Sequence, residues 1–208
     1  MWQACVLAII AGYADTVGYL RYDAFAGLMT GNTILLGIGL AKLDAMRALF
    51  PAVIIAVFLG GVIASRGLLQ AGAPTWLALT GAALLHVACS FLDRVWAAPL
   101  LALAMGMQNA AATRFGSVSL NTVFITGNLQ KLGEGLIAWG WALGTRQPAP
   151  SDGVMIFFLV WLSYATGAAL GAVGHAWLDH PLLIPAAVLP FLYAPLRRGE
   201  RSSAPIPK

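Results

Sequence analysis

Few residues in this chain can do chemistry, and those few are placed oddly. Asp15 ends the run W-Q-A-C-V-L-A-I-I-A-G-Y-A-D, which is otherwise apolar. A carboxylate in hydrocarbon costs about 2.5–3.5 kcal/mol on insertion scales, so such a residue is a functional candidate by default. It can hold a coupling proton or cation, or it can pair with Arg21 or Arg114. The other candidates come as a matched set: Thr30-Gly31-Asn32 and Thr126-Gly127-Asn128 each lie between apolar stretches. Threonine before glycine and asparagine is turn and helix-start chemistry. Gln108 and Asn109 offer neutral hydrogen bonding in a further apolar segment.

The elements that position these residues follow from composition. The chain has 208 residues, 60% hydrophobic and 10% charged. A soluble domain is about a quarter charged, and hydrocarbon is crossed by about 20 helical residues. Apolar segments fall at 2–20, 24–42, 50–70, 75–92, 97–115, 119–143, 153–174 and 181–196, with short connections. The expected fold is an all-α polytopic membrane protein with six to eight membrane segments. The first run reads as a retained span rather than a cleaved signal. If all eight segments cross, Lys and Arg divide 8 to 3 between the two sides; if the second and sixth are re-entrant, they divide 7 to 4. Both counts put the two termini together in the cytoplasm, with a basic tail at 197–208.

Residues 23–29 and 119–125 are poor helix, the latter rich in β-branched and aromatic side chains. Each leads into a Thr-Gly-Asn triplet and then a helical pattern. The expectation is an extended strip, a break, and a short helix in each. The triplets match at an offset of 96 residues, Gly37 and Gly133 match at the same offset, and Gly12 matches Gly106 at 94. Gly61 pairs with Gly167 within A-V-F-L-G-G and W-L-S-Y-A-T-G. Two membrane repeats, 1–96 and 97–196, follow from this spacing, and paired interrupted segments point to a binding site between repeats. Even crossings per half would make the repeats parallel, and odd crossings inverted.

The ordered motifs A-G-Y-A-D-T-V-G-Y-L, L-M-T-G-N-T-I-L-L-G, A-M-G-M-Q-N-A-A-A-T-R and V-F-I-T-G-N-L resemble the YoaK-like family of bacterial integral membrane proteins. The resemblance spans essentially the whole chain. It implies a bacterial inner-membrane protein, usually drawn with six helices, and no established substrate.

On this reading the helix after each triplet turns its amide end toward a shared polar pocket, suited to a small anion. The expected function is a small secondary transporter for a small anionic or polar solute. Thr30, Gly31, Asn32, Thr126, Gly127, Asn128, Gln108 and Asn109 would bind the solute, and Asp15 would couple the ion. The alternatives are a channel or a non-transporting scaffold or assembly protein. No nucleophile with a base, no paired catalytic carboxylates and no phosphate-binding G-x-x-x-x-G-K loop are present, so an enzyme or ATP-driven pump is not expected. Neither a metal nor a cofactor is expected. The partners are the lipid bilayer and the solute, with no nucleic acid. Small-residue faces such as Gly167/Gly171/Gly174 could close-pack helices within the fold or between copies of a homo-oligomer.

Overall fold

The structure, a computed structural model, describes residues 1–115, 118–119, 121–123, 125–145 and 153–193; the tail at 197–208 lies outside them. The helices are α1 Trp2–Tyr22, α2 Met29–Ala41, α3 Ala45–Gln70, α4 Thr75–Cys89, α5 Arg94–Ala111, α6 Ile125–Thr145, α7 Gly153–Trp177 and α8 Leu183–Val188. A 3₁₀ turn, Leu189–Tyr193, extends α8. One two-residue antiparallel pair, β1 Arg114–Phe115 and β2 Val118–Ser119, interrupts the helical order. Trp2–Tyr22, Ala45–Gln70 and Val154–Trp177 are long and apolar enough to cross a bilayer.

Glycine decides which helices touch. On α1, a Cβ at Gly12 would strike the backbone of Tyr164 and Ala168 on α7, and one at Gly167 would strike Ile9. Gly171 sits in the same way against Tyr13 and Thr16. The contact advances in the same direction along both chains, so α1 and α7 run parallel. On α5, Gly106 lies against Phe58 and Val62 of α3, while Gly61 of α3 lies against Leu103 and Met107. Farther back along this pair, Arg94 stacks over Phe50, so α3 and α5 are also parallel. Close backbone approach of this kind substitutes dispersion contact for the missing hydrophobic driving force between spans in lipid. By contrast, α1 and α5 run in opposite directions. Gln108 on α5 reaches Leu7 on α1, and Gly18 on α1 faces Leu101 on α5.

The two glycine-tipped helices complete hairpins. Gly39 near the end of α2 packs on Arg47 and Ala48 at the start of α3, and Gly135 of α6 packs on Val154 at the start of α7. Because α3 runs against α1, it begins at the end of the molecule where α1 finishes. The 13-residue α2 is about 20 Å long. It starts from a strip lodged beside Asp15 and returns to that same end. The second segment is therefore re-entrant rather than a broken crossing. The eighth expected segment also departs from a single span: it is a six-residue α8 and a 3₁₀ turn, where Pro190 has no N–H to continue an α ladder.

Candidate functional site

Asp15 is buried and already engaged. Gly27 N–H donates to its Oδ1 at 2.5 Å, and the Tyr164 hydroxyl donates to its Oδ2 at 2.6 Å. The expected alternative, an ion pair with Arg21 or Arg114, is replaced by these two donors. Seven residues separate Asp15 from the end of α1, so Gly27 sits about 10 Å inward from that end. Gly27 is favoured there by crowding against side chains. A Cβ on it would lie 2.5 Å from Val123 Cγ1, 3.1 Å from Met105 Cε and 3.2 Å from Asp15 Oδ2. The strip before α2 and the strip before α6 thus meet at Gly27 and Val123, beside Asp15.

The triplets lie in the first turns of α2 and α6. Helix α2 begins at Met29 after Leu28, with no side-chain cap, so Thr30 lies within its first turn rather than at the N-cap. Thr126 is likewise inside α6, which begins at Ile125. The asparagines are what bind strip to helix. Asn32 Nδ2 donates to Phe25 O at 2.7 Å, and its Oδ1 accepts from Phe25 N–H at 3.3 Å. Asn128 Nδ2 donates to Asn121 O at 2.6 Å, and Asn121 Oδ1 accepts from Val123 N–H at 2.9 Å. Both clamping asparagines are buried. Each reaches back seven residues, which satisfies a strip carbonyl that would otherwise be stranded in a non-aqueous interior. Thr30, Thr126 and Gly127 face outward, and Gly31 rests on the Phe25 ring.

Gln108 is fully buried, its Nε2 donating to Leu7 O at 3.0 Å. Gln108 Oε1, Asn109 Oδ1 and Thr122 Oγ1 are buried polar atoms without a hydrogen-bond partner. A cavity of about 290 Å³ opens beside the start of α3 and takes in Asn32 together with Asp23, Arg47, Phe50 and Arg94. Arg94 there pairs with Asp23 at 2.9 Å. On α6, Glu134 accepts from Gln130, and Lys131 lies over the Phe157 ring. Among the described residues no group of three or more His, Cys, Asp or Glu could hold a metal ion.

The residue that sequence reasoning missed is Tyr164. Its signal lies in the two stretches already aligned around Gly61 and Gly167. At an offset of 106, Tyr164 falls opposite Phe58, and at that position the two stretches differ by one hydroxyl. That hydroxyl is the one on Asp15.

Long apolar helices, close-packed glycine crossings and a buried carboxylate define a multi-pass helical membrane protein. The chain belongs to the family described as Protein of unknown function (DUF1275), whose model matches residues 3–194. It is 31% identical over 144 residues to UPF0700 transmembrane protein YoaK of Bacillus subtilis, covering 62% of this chain and 64% of that one. It is 28% identical over 172 residues to UPF0700 transmembrane protein RA0705 of Rhizobium meliloti, covering 80% of this chain and 72% of that one. No solved structure matches the chain.

Proposed function

We propose that the chain is a small secondary transporter of the bacterial inner membrane, built from two inverted halves with an ion-coupling carboxylate where they meet. The observation that carries this reading is the position of Asp15. It binds the strip of the first half through Gly27 and α7 of the second half through Tyr164, at the point where Val123 arrives from the other strip.

Coincident contacts support the two halves. Gly12 on Tyr164 and Ala168 has its counterpart in Gly106 on Phe58 and Val62. Gly167 on Ile9 corresponds to Gly61 on Leu103, and Gly39 on Ala48 to Gly135 on Val154. Asn32 on Phe25 corresponds to Asn128 on Asn121. Since α1 and α5 are counterparts and run oppositely, the halves are inverted, a common plan for secondary transporters. Six crossings then place Arg66, Arg114, Arg146 and the tail cations on one side, opposite Arg21, Lys42, Arg47 and Arg94. This distribution favours cytoplasmic termini.

Proton arrival at Asp15 Oδ1 would weaken it as the acceptor for Gly27 N–H and loosen the strip from α1. With Arg94 paired to Asp23, Arg47 leaves a net positive charge beside Asn32, which favours an anionic solute at the mouth of the first re-entrant segment. Proteoliposome uptake of small carboxylates and inorganic anions under an imposed pH gradient tests this reading. Wild type should accumulate a member of the panel, and Asp15→Asn should lose accumulation while keeping exchange. Equal uptake with and without protein across the panel would refute it. One observation favours the scaffold reading: the asparagines of both triplets are spent on their own strips. That reading predicts no flux at all. A channel would show unsaturated current in bilayer recordings.

A further inference from the structure

The two inverted halves are not sealed alike. In the first half α4 lies along α5, with Gly81 against Met107. In the second half α8 has six residues before its 3₁₀ turn and leaves α1 partly uncovered. A cavity of about 450 Å³ opens there between α1, α7 and α8. Its wall is apolar, from Val6, Ile9 and Ile10 on α1 to Leu170 and Val173 on α7 and Val188 on α8.

One polar group breaks that wall. Tyr13 lines the cavity and is 5% exposed, and its hydroxyl is buried with no hydrogen-bond partner. The oxygen sits where a Cβ on Gly174 would be, so glycine at 174 is what makes room for it. A buried hydroxyl left unpaired costs roughly 1–3 kcal/mol, so the position calls for an acceptor. Gly174 lies in the last turn of α7, and Trp177 just beyond it is 84% exposed, as suits the headgroup level of a bilayer. The depth order along the cavity is therefore an interfacial tryptophan, then a hydroxyl, then an aliphatic channel running past Ile10 and Ile9 to Val6.

We propose that this cavity is a specific phospholipid site: an acyl chain lies along Val6, Ile9, Ile10, Leu170 and Val188, and its ester carbonyl accepts a hydrogen bond from Tyr13 Oη. Binding here is independent of solute transport. The lipid completes the seal that α8 leaves open, and it exchanges with the surrounding bilayer through the half-open side between α7 and α8.

The test is photo-crosslinking in vesicles of phosphatidylethanolamine and phosphatidylglycerol doped with phosphatidylglycerol carrying a diazirine in its acyl chain. Adducts are mapped by peptide mass spectrometry. They should concentrate on 6–13 and 170–178. Tyr13→Phe should lower the yield at these peptides roughly threefold to tenfold, the value of one net hydrogen bond. Leu170→Trp, which fills the cavity from its open side, should abolish it. Leu162→Trp, on an exposed α7 position outside the cavity, should leave the yield unchanged. Adducts spread evenly over all exposed helices, or an unaltered yield in both Tyr13→Phe and Leu170→Trp, would overturn the proposal and leave annular lipid alone.

Discussion

Removing the hydroxyl of Tyr164 tests whether Asp15 ties the two halves together. The Tyr164 hydroxyl donates to Asp15 Oδ2 at 2.6 Å, across 149 residues of sequence. Interhelical hydrogen bonds in membranes average about 0.6 kcal/mol and reach about 1.7. Hydrogen bonds to a charged group are stronger, about 1.5–3 kcal/mol. The Asp15–Tyr164 bond is short, buried and ends on a carboxylate, so its coupling energy should fall at the top of the membrane range, about 1.5 kcal/mol, or roughly tenfold in the unfolding equilibrium. The assay is a double-mutant cycle of Asp15→Ala and Tyr164→Phe, read by detergent-driven unfolding in mixed micelles. Each single substitution should cost most of the coupling, and the double should cost little more than Asp15→Ala alone. Additive costs, with a coupling under about 0.3–0.5 kcal/mol, the usual additivity error, would refute the claim.

Asn128→Leu should strand the Asn121 carbonyl and destabilise the protein by roughly 1–3 kcal/mol, with Asn32→Leu behaving alike toward Phe25; thermal unfolding in detergent measures both. Gly106→Val and Gly167→Val should fail to reach the membrane in folded form, because a Cβ at either site strikes the facing backbone. Gly37→Ala and Gly133→Ala should instead be neutral or stabilising by up to about 1 kcal/mol, since nothing lies within 4 Å of the added Cβ and alanine is the better helix former. Comparison of expression and melting temperature across the four glycine variants checks the contrast.

The apolar segments and their rough limits were legible because lipid forces long unbroken hydrophobic runs, and any departure stands out. Asp15 was legible for the same reason. The sequence also held Gly12, Gly106, Gly61 and Gly167, which lie at the helix crossings, whereas Gly37 and Gly133 face open space. Three things were not visible. The partner of Asp15 is remote in sequence, and only the α1–α7 crossing brings Tyr164 to it. The threonines read as helix starts because capping propensity describes a helix end in water, whereas Thr30 and Thr126 lie inside their helices. Here the strip's own backbone is buried, and an asparagine at the end of the first turn reaches it where a threonine at the cap could not. The re-entrant course of α2 was one of two options, since length alone fits both. What settles it is that α3 runs antiparallel to α1.

The central claim is that the two interrupted segments converge beside Asp15. A cysteine pair tests it most directly. An ideal Cβ on Gly27 lies 2.5 Å from Val123 Cγ1, which brings the two Cβ atoms within about 4 Å, the span of a disulfide. In a background lacking Cys5 and Cys89, with a protease site in the 71–74 loop, Gly27→Cys/Val123→Cys should stay joined after mild oxidation and cleavage. It should separate on reduction. Complete separation under oxidising conditions, in protein that is folded and membrane-inserted, would contradict the account.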